Sequence, residues 1–217
     1  MSARHILFDL DGTLIDSAPS ILSGFARVLG QNGIKPMCEL TQALIGPPLN
    51  ETLRRISGIE NHDLIEKLAK DFKHYYDEIG YKETQEYLGV STMLRNLEGC
   101  GFHLFLVTNK RMLPTRKIVD LMSWSGHFRG IYSPDYLASA VRAKSVLIRN
   151  VLVDYAIPYS SAVYVGDRDE DYKAAAVNEV SFVGVKWGYG SWPTQKSKSY
   201  VLMRNVKELE KHMGFRS

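Results

Sequence analysis

The run Phe8-Asp9-Leu10-Asp11-Gly12-Thr13-Leu14 sets two carboxylates two residues apart at the end of an apolar strand pattern, with a glycine turn after them. Residues i and i+2 of a strand share a face, so both carboxylates can be aimed at one spot. One could serve as a nucleophile and the other as an acid or base, and an aspartate that takes up a phosphoryl group is an established covalent strategy. Two acidic residues that simply end a strand in a solvated turn would look the same. The run alone leaves both readings open.

Three further elements follow in order. The apolar run His103-Leu104-Phe105-Leu106-Val107 leads into Thr108-Asn109, Lys144 opens a long amphipathic stretch, and Ala162-Val163-Tyr164-Val165 leads into Gly166-Asp167-Arg168-Asp169-Glu170-Asp171. With these, the chain resembles the haloacid dehalogenase superfamily of phosphohydrolases, whose motifs are DxDGT, a hydroxyl residue after a strand, a lysine, and GDxxxD. The resemblance spans residues 5 to about 190. Ile45-Gly46-Pro47-Pro48-Leu49 and Gly184-Val185-Lys186-Trp187-Gly188-Tyr189-Gly190 are similar to the phosphoglycolate phosphatase-like subgroup, which carries a small four-helix cap.

The resemblance implies a phosphoric monoester hydrolase in which Asp9 is the nucleophile and Asp11 the acid and base. It implies Mg²⁺ held by Asp9, the main-chain carbonyl of Asp11, and Asp167, with Asp171 one helical turn on as support. Thr108, Asn109 and Gly12 would bind the phosphate, and Lys144 would neutralise charge on the nucleophile and the phosphoryl group. Many relatives have Pro after this lysine where Ser145 stands here, which makes Arg142 a rival. Asp169 and Glu170 read as favourable charge in the first turn of a helix. Asn50 stands where a typical relative has Arg, and Arg54 could substitute one turn later; these two are the candidates for reading the leaving group. Asp11 argues against the dehalogenase branch, which lacks a carboxylate there. The substrate would be a small phosphorylated metabolite. A β-phosphoglucomutase-type phosphomutase and a non-catalytic phosphometabolite-binding protein are the alternatives.

These residues need a scaffold that brings distant segments to one place. From about residue 88 onward apolar strand patterns (103–107, 131–133, 162–165, 181–185) alternate with helical ones (91–99, 114–124, 141–156, 169–177, 205–213). That alternation predicts an α/β fold: a doubly wound, Rossmann-like parallel sheet with helices on both faces. Between Asp16 and Tyr87 the pattern turns helical. One apolar stripe runs through Ile21, Leu22, Phe25, Val28 and Leu29, another through Leu64, Ile65, Leu68, Phe72 and Tyr75. Ser17 suits an N-cap, Asn32-Gly33 a stop, and Gly46-Pro47-Pro48 a break. The expected organisation is a core of residues 1–16 and 88–217 and a helical cap of residues 17–87. The cap is inserted where the chain leaves the carboxyl end of the first strand, so it is expected over the site. Gly188 to Ser197 reads as a surface loop.

Hydrophobic residues are 45% and charged residues 24% of the 217, an ordinary balance for a globular chain with a core of its own. A net charge of +3 without basic blocks predicts no nucleic-acid or membrane partner. Cys38 and Cys100 lack metal-ligand spacing and fit free thiols, either of them a possible small core residue. With no apolar leader or membrane-length stretch, the expectation is a cytoplasmic monomer or homodimer.

Overall fold

A computed structural model describes residues 4–135, 143–192 and 200–214. The strands are β1 (His5–Phe8), β2 (Ile15–Asp16), β3 (Gln85–Glu86), β4 (His103–Val107), β5 (Phe128–Tyr132), β6 (Ala162–Gly166), β7 (Ser181–Val185) and β8 (Val201–Met203). The α-helices are α1 (Ala18–Gln31), α2 (Leu49–Ser57), α3 (His62–Glu78), α4 (Val90–Gly99), α5 (Met112–Leu121), α6 (Lys144–Asp154), α7 (Asp169–Ala176) and α8 (Val206–His212). By contacts the chain divides into two compact units, residues 1–16 with 86–217, and residues 17–85.

The first unit is an α/β fold built on a six-stranded, wholly parallel sheet in the order β5-β4-β1-β6-β7-β8. Central parallel strands are covered on both faces, which is why they are uninterrupted apolar runs. Ile6, Leu7 and Phe8 of β1 are fully buried, and so is all of β6. On one face, Leu7, Phe105 and Tyr164 pack with Leu147, Ile148 and Val151 of α6 and Ala174 and Ala175 of α7. The chain runs outward from β1 through β4 and β5, then crosses back to β6 on the other side. The carboxyl ends of β1, β4 and β6 therefore lie side by side at the point where the winding reverses. Ligands of open α/β sheets bind at such points.

The second unit has its own core. Phe25, Val28 and Leu29 of α1 meet Ile65, Leu68 and Phe72 of α3, with Leu53 and Ile56 of α2, and the rings of Phe25 and Phe72 stack at 4.8 Å. It holds three α-helices and two short 3-10 segments, Gln42–Leu44 and Gly80–Glu83, rather than four helices. Tyr76, not Tyr75, completes the α3 stripe; Tyr75 instead lies beneath the Arg27 guanidinium at 5.0 Å.

Several element boundaries differ from the sequence reading. β5 begins at Phe128, three residues before the expected start, and β8 forms where the pattern predicts no strand, its three residues following a polar stretch. Cys38 and Cys100 are both exposed free thiols, so neither is a core residue. Arg142 and residues 193–197 of the expected loop lie outside the described residues.

Candidate active site

Strand register sets the site. Phe8 pairs with Leu106 on one side and Val165 on the other, so the residues just after β1, β4 and β6 emerge at nearly one level. Asp9 follows β1 and donates its main-chain N–H to the Val165 carbonyl at 2.9 Å. Thr108 follows β4 and Asp167 follows β6. Gly12, in the left-handed region at φ +82°, turns the chain back after Asp11, a conformation that costs a glycine little.

Lys144 is the first residue of α6, and Asp171 sits in the first turn of α7. The Lys144 ammonium lies 2.9 Å from Asp9 Oδ1 and 2.5 Å from Asp171 Oδ1. Asp171 Oδ2 accepts the Arg168 main-chain N–H at 3.1 Å, so both of its oxygens are engaged. Below, the Tyr164 ring lies 5.9 Å from the ammonium, and its hydroxyl donates to the Val107 carbonyl at 2.8 Å. Asp9, Asp167 and Asp171 are 5%, 0% and 1% exposed, and each offers a carboxylate oxygen within 4.8 Å of the others.

Three carboxylates and one ammonium leave an excess of buried negative charge. Burial, together with the neighbouring Asp171 and Asp167, pushes the Asp9 carboxyl up to about 8 despite the opposing pull of Lys144. Asp167 is raised to about 6 by burial and by Asp171, with the Tyr189 amide holding it back. Burial disfavours the Lys144 ammonium, but Asp171 and Asp9 outweigh this and hold it well above its ordinary value.

The two oxygens of Asp167 differ. Oδ2 accepts main-chain N–H groups from Tyr189 at 2.7 Å and Gly190 at 3.2 Å, whereas Oδ1 is buried with no hydrogen-bond partner among the described residues. An orphaned buried carboxylate oxygen is costly unless something positive faces it. Asp167 stands with two other buried carboxylates, an all-oxygen ligand set that suits a hard divalent cation, so these residues fit Mg²⁺.

Asp11 turns to a partner that the sequence reading left without a role. Its Oδ1 lies 2.9 Å from the Lys110 ammonium, itself only 8% exposed in its side chain. The Lys110 main-chain N–H donates to Thr108 Oγ1 at 3.1 Å, closing the turn after β4, and Asn109 at its tip is exposed. The available signal was a lysine two residues after the expected hydroxyl. Asp169 forms a surface pair with Lys173 at 3.1 Å, as a helix first-turn residue would. In the helical unit Asn50 donates to Glu66, joining α2 to α3, while Arg54 is half-buried on α2.

A profile of haloacid dehalogenase-like hydrolases matches residues 6–185. The chain belongs to that family. A phosphoglycolate phosphatase of Xanthomonas campestris is 31% identical over 191 residues, covering 86% of this chain and 84% of its own. The tyrosine-protein kinase PtkA of Mycobacterium tuberculosis is 31% identical over 190 residues, 87% of this chain; the chain spans 64% of that relative's length. A solved putative phosphatase from Clostridium difficile superposes with a TM-score of 0.85 at 25% identity, covering 98% of this chain and 99% of that one. The haloacid dehalogenase-like hydrolase family and the phosphoglycolate phosphatase-like subgroup expected from the motifs agree with the profile and with the Xanthomonas relative. Among the described residues no helix is long and apolar enough to cross a membrane.

Proposed function

We propose that this chain is a Mg²⁺-dependent phosphatase that hydrolyses a small phosphorylated metabolite through a phosphoryl-aspartate. The reading is carried by one observation: buried Asp9 is paired with Lys144 at 2.9 Å inside a carboxylate group whose charge exceeds that lysine's. A phosphomonoester is itself anionic and can approach Asp9 only if more positive charge is present. Asp9, Asp167 and the Asp11 main-chain carbonyl would hold Mg²⁺. When bound, the ion would supply that neutralisation and polarise a phosphoryl oxygen.

The side chains divide the remaining work. Asp9 attacks phosphorus while the bond from phosphorus to the leaving oxygen breaks, and the Asp11 carboxyl gives its proton to that oxygen. Asp11, now a carboxylate, takes a proton from a water whose oxygen attacks the phosphoryl-aspartate; the Asp9–phosphorus bond breaks and inorganic phosphate leaves. Lys144 offsets charge on Asp9 and the phosphoryl group throughout. The Thr108 hydroxyl, Asn109 and the Gly12 main chain bind phosphate oxygens, and Lys110 adds a second ammonium at the same end of the sheet. Asp171 holds Lys144 in place. In this reading residues 17–85 act as a cap that closes over the core, and Asn50 and Arg54 help to read the leaving group. The enzyme works in the cytoplasm as a monomer or homodimer.

The test is release of inorganic phosphate from p-nitrophenyl phosphate and from a panel of phosphorylated metabolites, with Mg²⁺ or with excess chelator. Release that requires Mg²⁺ and disappears in a folded Asp9→Asn variant is the expected result. Undiminished release in chelator, or from Asp9→Asn, overturns the reading.

A further inference from the structure

The segment after β7 carries Trp187-Gly188-Tyr189-Gly190 back against the strand ends. Trp187 Nε1 donates to the Thr13 carbonyl at 3.0 Å, and the edge of its ring system meets Tyr87 with centroids 6.4 Å apart. Next along the chain, the Tyr189 and Gly190 amides converge on one oxygen, Asp167 Oδ2. The Tyr189 hydroxyl reaches the other way and donates to Asp16 Oδ1 at 2.9 Å.

This approach works only because side chains are missing. A Cβ on Gly188 would collide with the Gly12 carbonyl and the Asp167 side chain, and one on Gly190 would overlap the Asp167 carbonyl. A Cβ on Gly12 would in turn strike Asp167 Oδ2 and crowd the Tyr189 ring. Three glycine backbones thus close on a single carboxylate. A carboxylate can swing about its bonds, but here two amides hold one oxygen, which fixes the plane of the group and leaves the other oxygen for a ligand.

We propose that Trp187–Gly190 is a positioning clasp that fixes the orientation in which the Asp167 carboxylate meets the cation, and that Tyr189 ties this clasp to Asp16, where the chain leaves the first unit. The clasp rests on the reading of Asp167 as a cation ligand. Outer groups that orient ligating carboxylates typically alter metal affinity by about 10- to 100-fold. Tyr189 is the member whose two ends are bonded to different parts of the unit.

Titration of the chelator-stripped full chain with Mn²⁺ alone, followed calorimetrically, reads this without substrate. Gly190→Ala should weaken Mn²⁺ binding by about 10- to 100-fold. Tyr189→Phe keeps the amide and loses the hydroxyl that joins the clasp to Asp16 and to Tyr87; it should weaken binding by about two- to tenfold, the range of one net hydrogen bond. Tyr155→Phe, whose hydroxyl donates to the Arg129 carbonyl, should bind as wild type does. Melting curves without cation accompany each titration, and should Gly190→Ala not fold, Tyr189→Phe and Trp187→Phe decide the matter. Clasp variants that bind Mn²⁺ as tightly as wild type, or that lower the melting temperature with affinity unchanged, overturn the clasp. If Asp167→Asn loses binding while the clasp variants keep it, only the clasp fails. If Asp167→Asn also binds normally, the ligand reading falls and the clasp with it.

Discussion

Asp9, Asp167 and Asp171 share one ammonium, and the imbalance is itself measurable. The Asp9 and Asp167 carboxyls are raised from the ordinary 3.8 to about 8 and about 6. The folded chain therefore holds more protons than the unfolded chain across this range, while Lys144 stays charged in both states. Their contribution is present at low pH and is lost as pH rises, first through about 6 and then through about 8. Without divalent cation the melting temperature should fall between about pH 4 and pH 8, and Mg²⁺ should flatten the decline; a flat profile in chelator would contradict this. Lys144→Met removes the countercharge from two buried carboxylates and should cost about 3–5 kcal/mol in denaturant unfolding, less at low pH. At this scale the sequence spoke through residue type and order: Asp9, Thr108, Lys144 and Asp167 each close an apolar run or open a helix. Lys110 was silent because a lysine beside a turn looks the same whether it meets solvent or, as here, a carboxylate.

The helices hold the site as much as the strands do. Asn178 Nδ2 donates to the Ser145 carbonyl in the first turn of α6 and to the Ala174 carbonyl of α7, both at 2.9 Å. It joins the start of the helix that carries Lys144 to the helix that carries Asp171. Asn178→Ala should cost about 1–3 kcal/mol for the two bonds and lower turnover more than it raises KM, since it moves a charge rather than a binding surface. Unchanged turnover in a measurably destabilised variant would separate the clamp from the chemistry. The long periodic helices α1 and α3 and the uninterrupted apolar runs of β4 and β6 were legible along the chain. β8 and the front of β5 were not: Arg129 and Gly130 interrupt an edge strand that needs burial on fewer sides, and three residues are too few for a period to show.

Over the whole molecule, the proposed reading gives chemistry and selection to the two separate compact units. If residues 17–85 read the leaving group, Arg54→Ala should reorder a panel of phosphorylated substrates while changing turnover of p-nitrophenyl phosphate by less than about threefold, because its small aryl group needs few such contacts. An unaltered ranking would remove Arg54 from that role. The α/β core was legible because alternation of strand and helix patterns has few other solutions. The helix count of the second unit was not, because four helices were expected from the family resemblance alone, whereas Gln42–Leu44 and Gly80–Glu83 form only short 3-10 turns.

The sheet order carries a consequence for how the protein is made. β1 pairs with β4 and β6 and with no strand nearer in sequence, so when His5 leaves the ribosome both of its partners, His103 and Ala162, are still untranslated. The strand that carries Asp9 must wait as an exposed apolar segment while α1, α2 and α3, whose contacts are local, condense behind it. Ribosome-bound chains arrested before β6 should resist protease across residues 17–85 yet leave Phe8 open to cleavage. An apolar central strand of the sheet is therefore the first of its strands to be synthesised and among the last to be sheltered, and the newborn chain is exposed to aggregation at the segment that leads into Asp9.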